Sequence, residues 1–293
     1  YTMELDLETG RVLSEPMAEE GGRTVRMGHP VWSPDGQFLA YARGEEPQTI
    51  VVRAAMGNHR REFLLPPGFL SVEYLRWTPD SRSLVMAAGG AAQYGSSNVL
   101  HLALATGDFE VGPRNPIERS PLSADGRKVY MSRAGSVSEV DLTTGEPKVL
   151  YADPDRRNRE ACHPGGRPSL SPSGDRLALF GRCIGILSTD GGEPSWVLEM
   201  SYQERAAPIM DPRINAWTAD GSSVLFARNV PGHDTLKELW IISATGGSPR
   251  KLYEYEQLSV VAAHPDNRHI AFIAGEERYE LWMMEGLEEA VRQ

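Results

Sequence analysis

The chain has 293 residues, 40% of them hydrophobic and 24% charged, enough to bury one large core or two ordinary ones. Its 40 acidic residues against 30 Lys and Arg give a formal charge of −10, which argues against a nucleic-acid module and against docking on an anionic membrane. No apolar run approaches the roughly 18 residues of a spanning helix, so no membrane insertion by this segment is expected.

In chain order, "YTMELDLETG" comes first. It lacks the basic start and apolar stretch of a signal peptide, and Tyr1 is no initiator, so a chain trimmed from a longer protein is expected. From Pro30 a phrase begins that is written six times: "PVWSPDGQFLAYA", "LRWTPDSRSLVMA" from Leu75, "SPLSADGRKVYMS" from Ser120, "PSLSPSGDRLALF" from Pro168, "NAWTADGSSVLFA" from Asn215 and "VAAHPDNRHIAFI" from Val260. The turn residues Gly36, Ser81, Gly126, Gly174, Gly221 and Asn267 are spaced 45, 45, 48, 47 and 46 apart, the period of a four-stranded propeller blade.

Each copy has its own chemistry. Gly, Asn, Asp and Ser at the centre tolerate the positive φ of a tight hairpin. The branched and aromatic residues that follow, as in "FLAYA" and "VLFA", suit a buried strand. A third strand and a Thr-Gly or Gly-Gly turn come next, as in "VSEVDLTTGEPKVLY" at Val137–Tyr151 and "ELWIISATGGSPRKLY" at Glu238–Tyr253. The expected fold is all-β, a six-bladed β-propeller of four-stranded blades in one domain spanning 1–293. Its blades start near 28, 72, 117, 166, 212 and 257. The last repeat ends at "YELWMMEG" without a fourth strand, so residues 1–20 are expected to supply it and close the ring. Seven blades, one assembled from fragments, is the alternative.

These words resemble the WD40-like repeats of TolB-type β-propellers over nearly the whole chain. The ending "HPDNRHIAFIAGEERYELWMMEGL" is similar to the last repeat of bacterial proteins in which such a propeller follows a kinase or winged-helix region. The resemblance implies a C-terminal extracytoplasmic sensing or binding domain of a larger protein, periplasmic or otherwise extracytoplasmic with a cytoplasmic setting as the alternative, and it does not imply an enzyme. It also implies that the rim opposite the Asp-Gly hairpins is the face used for partners.

The catalytic signatures are missing: there is no Gly-x-Ser-x-Gly elbow, no phosphate loop and no His-Glu-x-x-His. No cofactor and no metal is expected. "DPDRRNRE" at Asp153–Glu160 alternates too briefly for a calcium loop and reads as a solvated connection. Three residues before Trp32 and its counterparts stand His29, Tyr74, Arg119, Arg167, Ile214 and Val260, with Arg213 beside Ile214. Arginines gathered at one funnel would grip a carboxylate or phosphate in pairs. The plainer reading pairs them with Glu73, Glu118, Glu160 or Asp211 as ties between blades.

Tyr94 and His233 sit in the long loops Ala88–Asn98 and Arg228–Lys237 on the same rim, where loops on a rigid scaffold carry recognition. Cys162 and Cys183 also belong there. Two free buried thiols are the plainer reading, and a disulfide is geometrically open to them. A metal on Cys162, His163 and Cys183 is a weaker alternative, and His264, which replaces Ser or Thr in the last turn, reads as a local cap. The chain is thus expected to be a monomeric, non-catalytic scaffold that recognises a protein, a peptide or a small anion. The alternatives are a funnel-sited hydrolase or lyase, and an accessory propeller gating a catalytic domain.

Overall fold

A computed structural model describes residues 2–6, 27–44, 47–56, 59–90, 97–115, 120–154, 162–181, 183–199, 210–233, 235–256 and 260–273. Strand β1 (Thr2–Asp6) opens the chain. The first repeat forms β2 (Met27–Trp32), β3 (Phe38–Arg43), β4 (Thr49–Ala54) and β5 (Arg60–Leu64), an antiparallel sheet in chain order. The second forms β6 (Ser71–Trp77), β7 (Ser83–Gly89), β8 (Ser97–Ala103) and β9 (Phe109–Asn115) in the same way. The third contributes β10 (Lys128–Arg133), β11 (Ser136–Asp141) and β12 (Pro147–Ala152).

The fourth repeat gives β13 (Gly165–Leu170), β14 (Arg176–Phe180), β15 (Ile184–Ser188) and β16 (Ser195–Leu198). The fifth gives β17 (Met210–Trp217), β18 (Ser223–Asn229), β19 (Leu236–Ser243) and β20 (Arg250–Glu256). The last repeat supplies β21 (Val260–Ala263) and β22 (His269–Ile273), which form a three-stranded sheet with β1. The architecture is a β-propeller of small antiparallel blades. Five sheets are each built within one repeat, and the sheet of β21, β22 and β1 draws on both ends of the chain.

The second strand of each blade shows why the repeat is spelled as it is. Side chains alternate across a strand, and both faces of these strands are buried. In β7, Leu84, Met86 and Ala88 share a core with Ala40, Ala42 and Ile50 of the preceding blade, whereas Val85 and Ala87 pack with Val129 and Leu122 of the following one. In β14, Leu177 and Leu179 join Tyr130 and Leu150, and Ala178 and Phe180 join Val224 and Phe226. Leu225 and Ala227 of β18 turn instead to Val261 and Ile270. Leu39 and Tyr41 pack with Ala271, which joins the first sheet to the last.

The hairpin formula is a hydrogen-bond circuit. Ser33 Oγ donates to Asp35 Oδ1 at 2.5 Å and accepts from Phe38 N at 2.9 Å, while Gln37 N donates to Asp35 Oδ1 at 3.0 Å. Thr78 with Asp80, Ser123 with Asp125 and Thr218 with Asp220 repeat the arrangement. The Thr78 hydroxyl and the Arg82 amide hold the exposed Asp80 carboxyl below its usual range.

These turns are also stitched to one another. Ser81 and Asn267 replace glycine at positive φ (58° and 56°), and each puts its side chain to use. Ser81 Oγ accepts from Asp35 N at 3.2 Å, and Asn267 Oδ1 accepts from Asp220 N at 3.0 Å. Arg176 Nη2 donates to Gly221 O at 2.9 Å, and His264 Nε2 donates to Gly36 O at 3.2 Å. Arg76 spans further, donating to Pro172 O at 2.8 Å and reaching Leu122 O and Ser171 O at 3.4 Å. The indoles tie the inner strands: Trp77 Nε1 donates to Val31 O and Trp217 Nε1 to Ser169 O, both at 3.0 Å.

Two expectations need correction and one holds in most blades. The N-terminal strand does not take the fourth place of the last blade. It pairs directly with β22, from Thr2↔Ile273 to Asp6↔His269, in the place of a third strand. The reason is local, since "MELDLETG" repeats the third-strand word "SEVDLTTG" of the third blade. The segment "YELWMMEG" lies outside the described residues. Four of the sheets are four-stranded as expected, and among the described residues the first strand of the third blade is a Leu122↔Val129 bridge, next to Pro121, which has no N–H to give a ladder. No seventh sheet exists among the described residues.

Two substitutions test the packing between blades. At Gly126 (φ 69°) an added Cβ would lie 2.8 Å from Val99 Cγ1 and His101 Nε2 and 3.1 Å from Val85 Cγ1, whereas at Gly145 (φ 75°) nothing lies within 4 Å. Gly145→Ala should cost about 1 kcal/mol from backbone strain, and Gly126→Ala about 3 kcal/mol because overpacking is added. Equal denaturant midpoints for the two would refute the account. Arg76→Met removes the tie to three backbone carbonyls and should cost about 2 kcal/mol. Amide exchange should quicken at Gly126 and Gly174; unchanged exchange and stability would show that the guanidinium ties nothing.

Candidate functional site

At the end of the blades opposite the hairpins, the inner ladders break at one recurring place. Pairing of β2 with β3 shifts between Gly28 and Val31, and that of β6 with β7 between Val72 and Tyr74. In β13 the shift falls between Gly165 and Ser169, and in β17 between Met210 and Asn215. A bulge frees residues from the ladder and re-aims their side chains. The residues inside these breaks include His29 and Arg167 of the variable column, and Glu73 and Arg213 one place before it.

The candidate residues are placed as follows. Arg167 is exposed within the break of β13. Tyr74 lies at the end of the break in β6, but its ring packs on the core between the second and third blades. Burial raises its phenol above the ordinary range, partly offset by the charge of Arg76 and a hydrogen bond to it. Tyr74 therefore acts with Arg76 as part of the scaffold. His29 and Arg213 have their backbones in β2 and β17, and their side chains are outside the described residues, as are Tyr94 and Arg119 entirely. His233 is exposed in the β18–β19 connection, where its N–H donates to Val230 O at 3.1 Å.

The structure brings one group together. Cys162, just before β13, is bonded to Cys183 in the β14–β15 turn, with Cα atoms 5.5 Å apart. The plainer expectation of two free thiols is corrected, and a metal on Cys162, His163 and Cys183 loses its two sulfur ligands. The turn and the strand start come close because both carry glycine: a Cβ added at Gly181 would lie 3.1 Å from His163 O and 3.2 Å from Gly165 N. Next to the bond, His163 Nδ1 pairs with the carboxylate of Asp153, at the end of the third blade. The disulfide thus braces the fourth blade at this end, and the His163–Asp153 pair ties that blade to the third.

Two features escaped the sequence reading. Glu73 was read only as an ion-pair partner, yet it occupies the break in β6, and its Oε1 would lie 2.9 Å from a Cβ at Gly89, so glycine there makes room for the carboxylate. A bulged carboxylate facing a glycine at the end of the next strand is a signal that alignment of the copies contains. Arg76 carries no such signal, because its partners lie 46 to 96 residues away.

Comparison with known proteins agrees with this architecture. No family model matches the chain, and no curated protein matches it. Among solved structures, it is similar to a protein assigned as TolB from Agrobacterium tumefaciens, with a TM-score of 0.59 and 16% identity over 92% of this chain and 96% of that one. It is also similar to a chain of the mitotic checkpoint complex, with a TM-score of 0.51 and 13% identity over 90% of this chain and 98% of the other. At these identities the likeness is one of fold, and the fold is a β-propeller of the kind seen in the TolB structure.

Proposed function

We propose that this propeller is a non-catalytic recognition scaffold, which binds a protein or peptide segment, or a small anion of the same carboxylate chemistry, at the rim opposite its hairpins. The observation that carries the reading is the recurring break in the inner ladders. Four strands give up backbone pairing where the sequence stops repeating, and three of the four positions named there are His29, Arg167 and Arg213. Releasing hydrogen bonds from a ladder is costly unless the freed groups find other partners; Val72 N finds one in Gln48 Oε1 at 2.8 Å, and work done at the rim would account for keeping the break. The six sheets are read as six blades in one closed ring, supported by the continuity of the cores from Leu39 and Tyr41 round to Ala271.

A periplasmic or other extracytoplasmic setting fits the disulfide, since such bonds persist in oxidising compartments. Among the described residues no helix is long and apolar enough to cross a membrane. A sensor role within a larger envelope protein suits a rigid platform whose variable side chains gather at one end. The TolB-like and checkpoint-complex likenesses support a binding scaffold only at the level of fold.

Peptides should be selected from a displayed library of acidic hexamers against the folded chain. The double variant Arg119→Ala with Arg167→Ala should weaken the selected peptide, and succinate or inorganic phosphate where they bind, by about ten-fold or more. Arg82→Ala with Arg127→Ala, on the hairpin face, should leave binding unchanged. Equal affinity of the rim variant and the parent chain would sink the reading. Reduction should add the mass of two hydrogens and, with 21 residues separating the cysteines, remove about 3 kcal/mol of stability. An unchanged mass after reduction would remove the oxidising-compartment argument.

A further inference from the structure

The last hairpin departs from the formula of the other five. Where they place Ser or Thr, it places His264, and the fifth residue after it is His269. Asp266 between them keeps its role as the turn's acceptor: its Oδ1 takes the amides of Arg268 at 2.8 Å and His269 at 3.0 Å. Its second oxygen, Oδ2, lies 2.5 Å from His269 Nδ1 and 3.1 Å from His264 Nδ1. These three atoms all fall within 4.8 Å of one another.

The contacts of the His264 ring define its tautomer. Its Nε2 faces Gly36 O at 3.2 Å, and a carbonyl can only accept, so the proton sits on Nε2. Nδ1 of the neutral ring then carries the lone pair, which accepts the Asp266 amide at 3.2 Å and lies 3.1 Å from Asp266 Oδ2, so a bound cation would take the place of that amide. A histidine that donates its far N–H to a backbone carbonyl, leaving the near nitrogen for a cation, is the usual supporting arrangement of a metal ligand. The Trp32 ring, edge-on with centroids 4.6 Å away, holds the imidazole from the side.

We infer that His264, Asp266 and His269 form a binding site for one divalent transition-metal ion of the zinc, nickel or copper class. Two imidazoles and a carboxylate suit these ions rather than calcium or magnesium, which prefer oxygen ligands throughout. Bond lengths of about 2.0–2.2 Å place tetrahedral ligand atoms about 3.3 Å apart. The His264–Asp266 pair is close to that spacing, and the partly exposed His269 ring, now 2.5 Å from Asp266 Oδ2, would part from it by about 0.8 Å. Binding replaces the Nδ1 proton of His269 with the cation. Because His264 also holds Gly36 of the first blade, the ion would clamp the seam between the last sheet and the first.

The test uses the whole chain, stripped with a chelator and titrated with Zn²⁺ and with Ni²⁺ by calorimetry. One equivalent should bind saturably and raise the melting midpoint, since it stabilises only the folded state. His269→Asn should weaken binding by at least about ten-fold and abolish the rise in midpoint. Because a variant in a turn can fail to fold, the parent chain is also titrated with Cu²⁺ and its bound imidazole nitrogens counted by electron paramagnetic resonance. Two nitrogens are expected. The inference is overturned by no saturable binding, by equal affinity in folded His269→Asn, or by a nitrogen count other than two.

Discussion

The structure depends on one constraint: the second strand of each blade is buried on both faces. Such a strand has no solvent side, so its even and odd positions must satisfy two different neighbours. Leu84 and Met86 answer to the first blade, Val85 and Ala87 to the third. The same division at Leu177, Ala178, Val224 and Leu225 links the rest. A change in one blade is therefore felt in the next. Variation is pushed to the two ends, where turns and connections lie.

The two ends are built on opposite principles. At the hairpin end, backbone groups of one turn meet side chains of the next, from Asp35 N on Ser81 to His264 on Gly36. Even the non-glycine residues at positive φ, Ser81 and Asn267, pair with the neighbouring blade. At the other end the inner ladders open at Gly28–Val31, Val72–Tyr74, Gly165–Ser169 and Met210–Asn215. One end joins its turns to one another, and the other interrupts its inner ladders. The recognition proposed for the second end rests on that asymmetry.

Legibility follows the range of the interactions. The hairpins were readable because Ser33, Asp35, Gly36 and Phe38 satisfy each other within six residues, and the buried strands because their composition is fixed by burial alone. The break in the ladders was half readable: aligning copies exposed the column of His29 and Arg167 with Arg213 beside it, but not the bulge that frees them. Arg76 was unreadable, since nothing near it in sequence announces carbonyls at Leu122, Ser171 and Pro172. Cys162 and Cys183 look alike as free thiols or as a bond until Gly165 and Gly181 are seen to bring their backbones together. The placing of β1 was written in "MELDLETG", yet "YELWMMEG" reads equally as a third strand and so moves it one place outward.

Closure of the ring sets a harder problem than any other seam, because the last sheet must be completed by a strand from the far end of the chain. Elsewhere an indole marks the seam, Trp77 on Val31 O and Trp217 on Ser169 O. At closure the corresponding Trp32 Nε1 is buried without an acceptor among the described residues, and the His264 ring stands against it. An unmade bond at a buried N–H costs about 1–3 kcal/mol, so this seam needs strength from another source. Pairing of β1 with β22 supplies part of it and the His264–Gly36 contact another part. The histidines that break the hairpin formula therefore stand where the scaffold is weakest, which is where departing from the formula gains most.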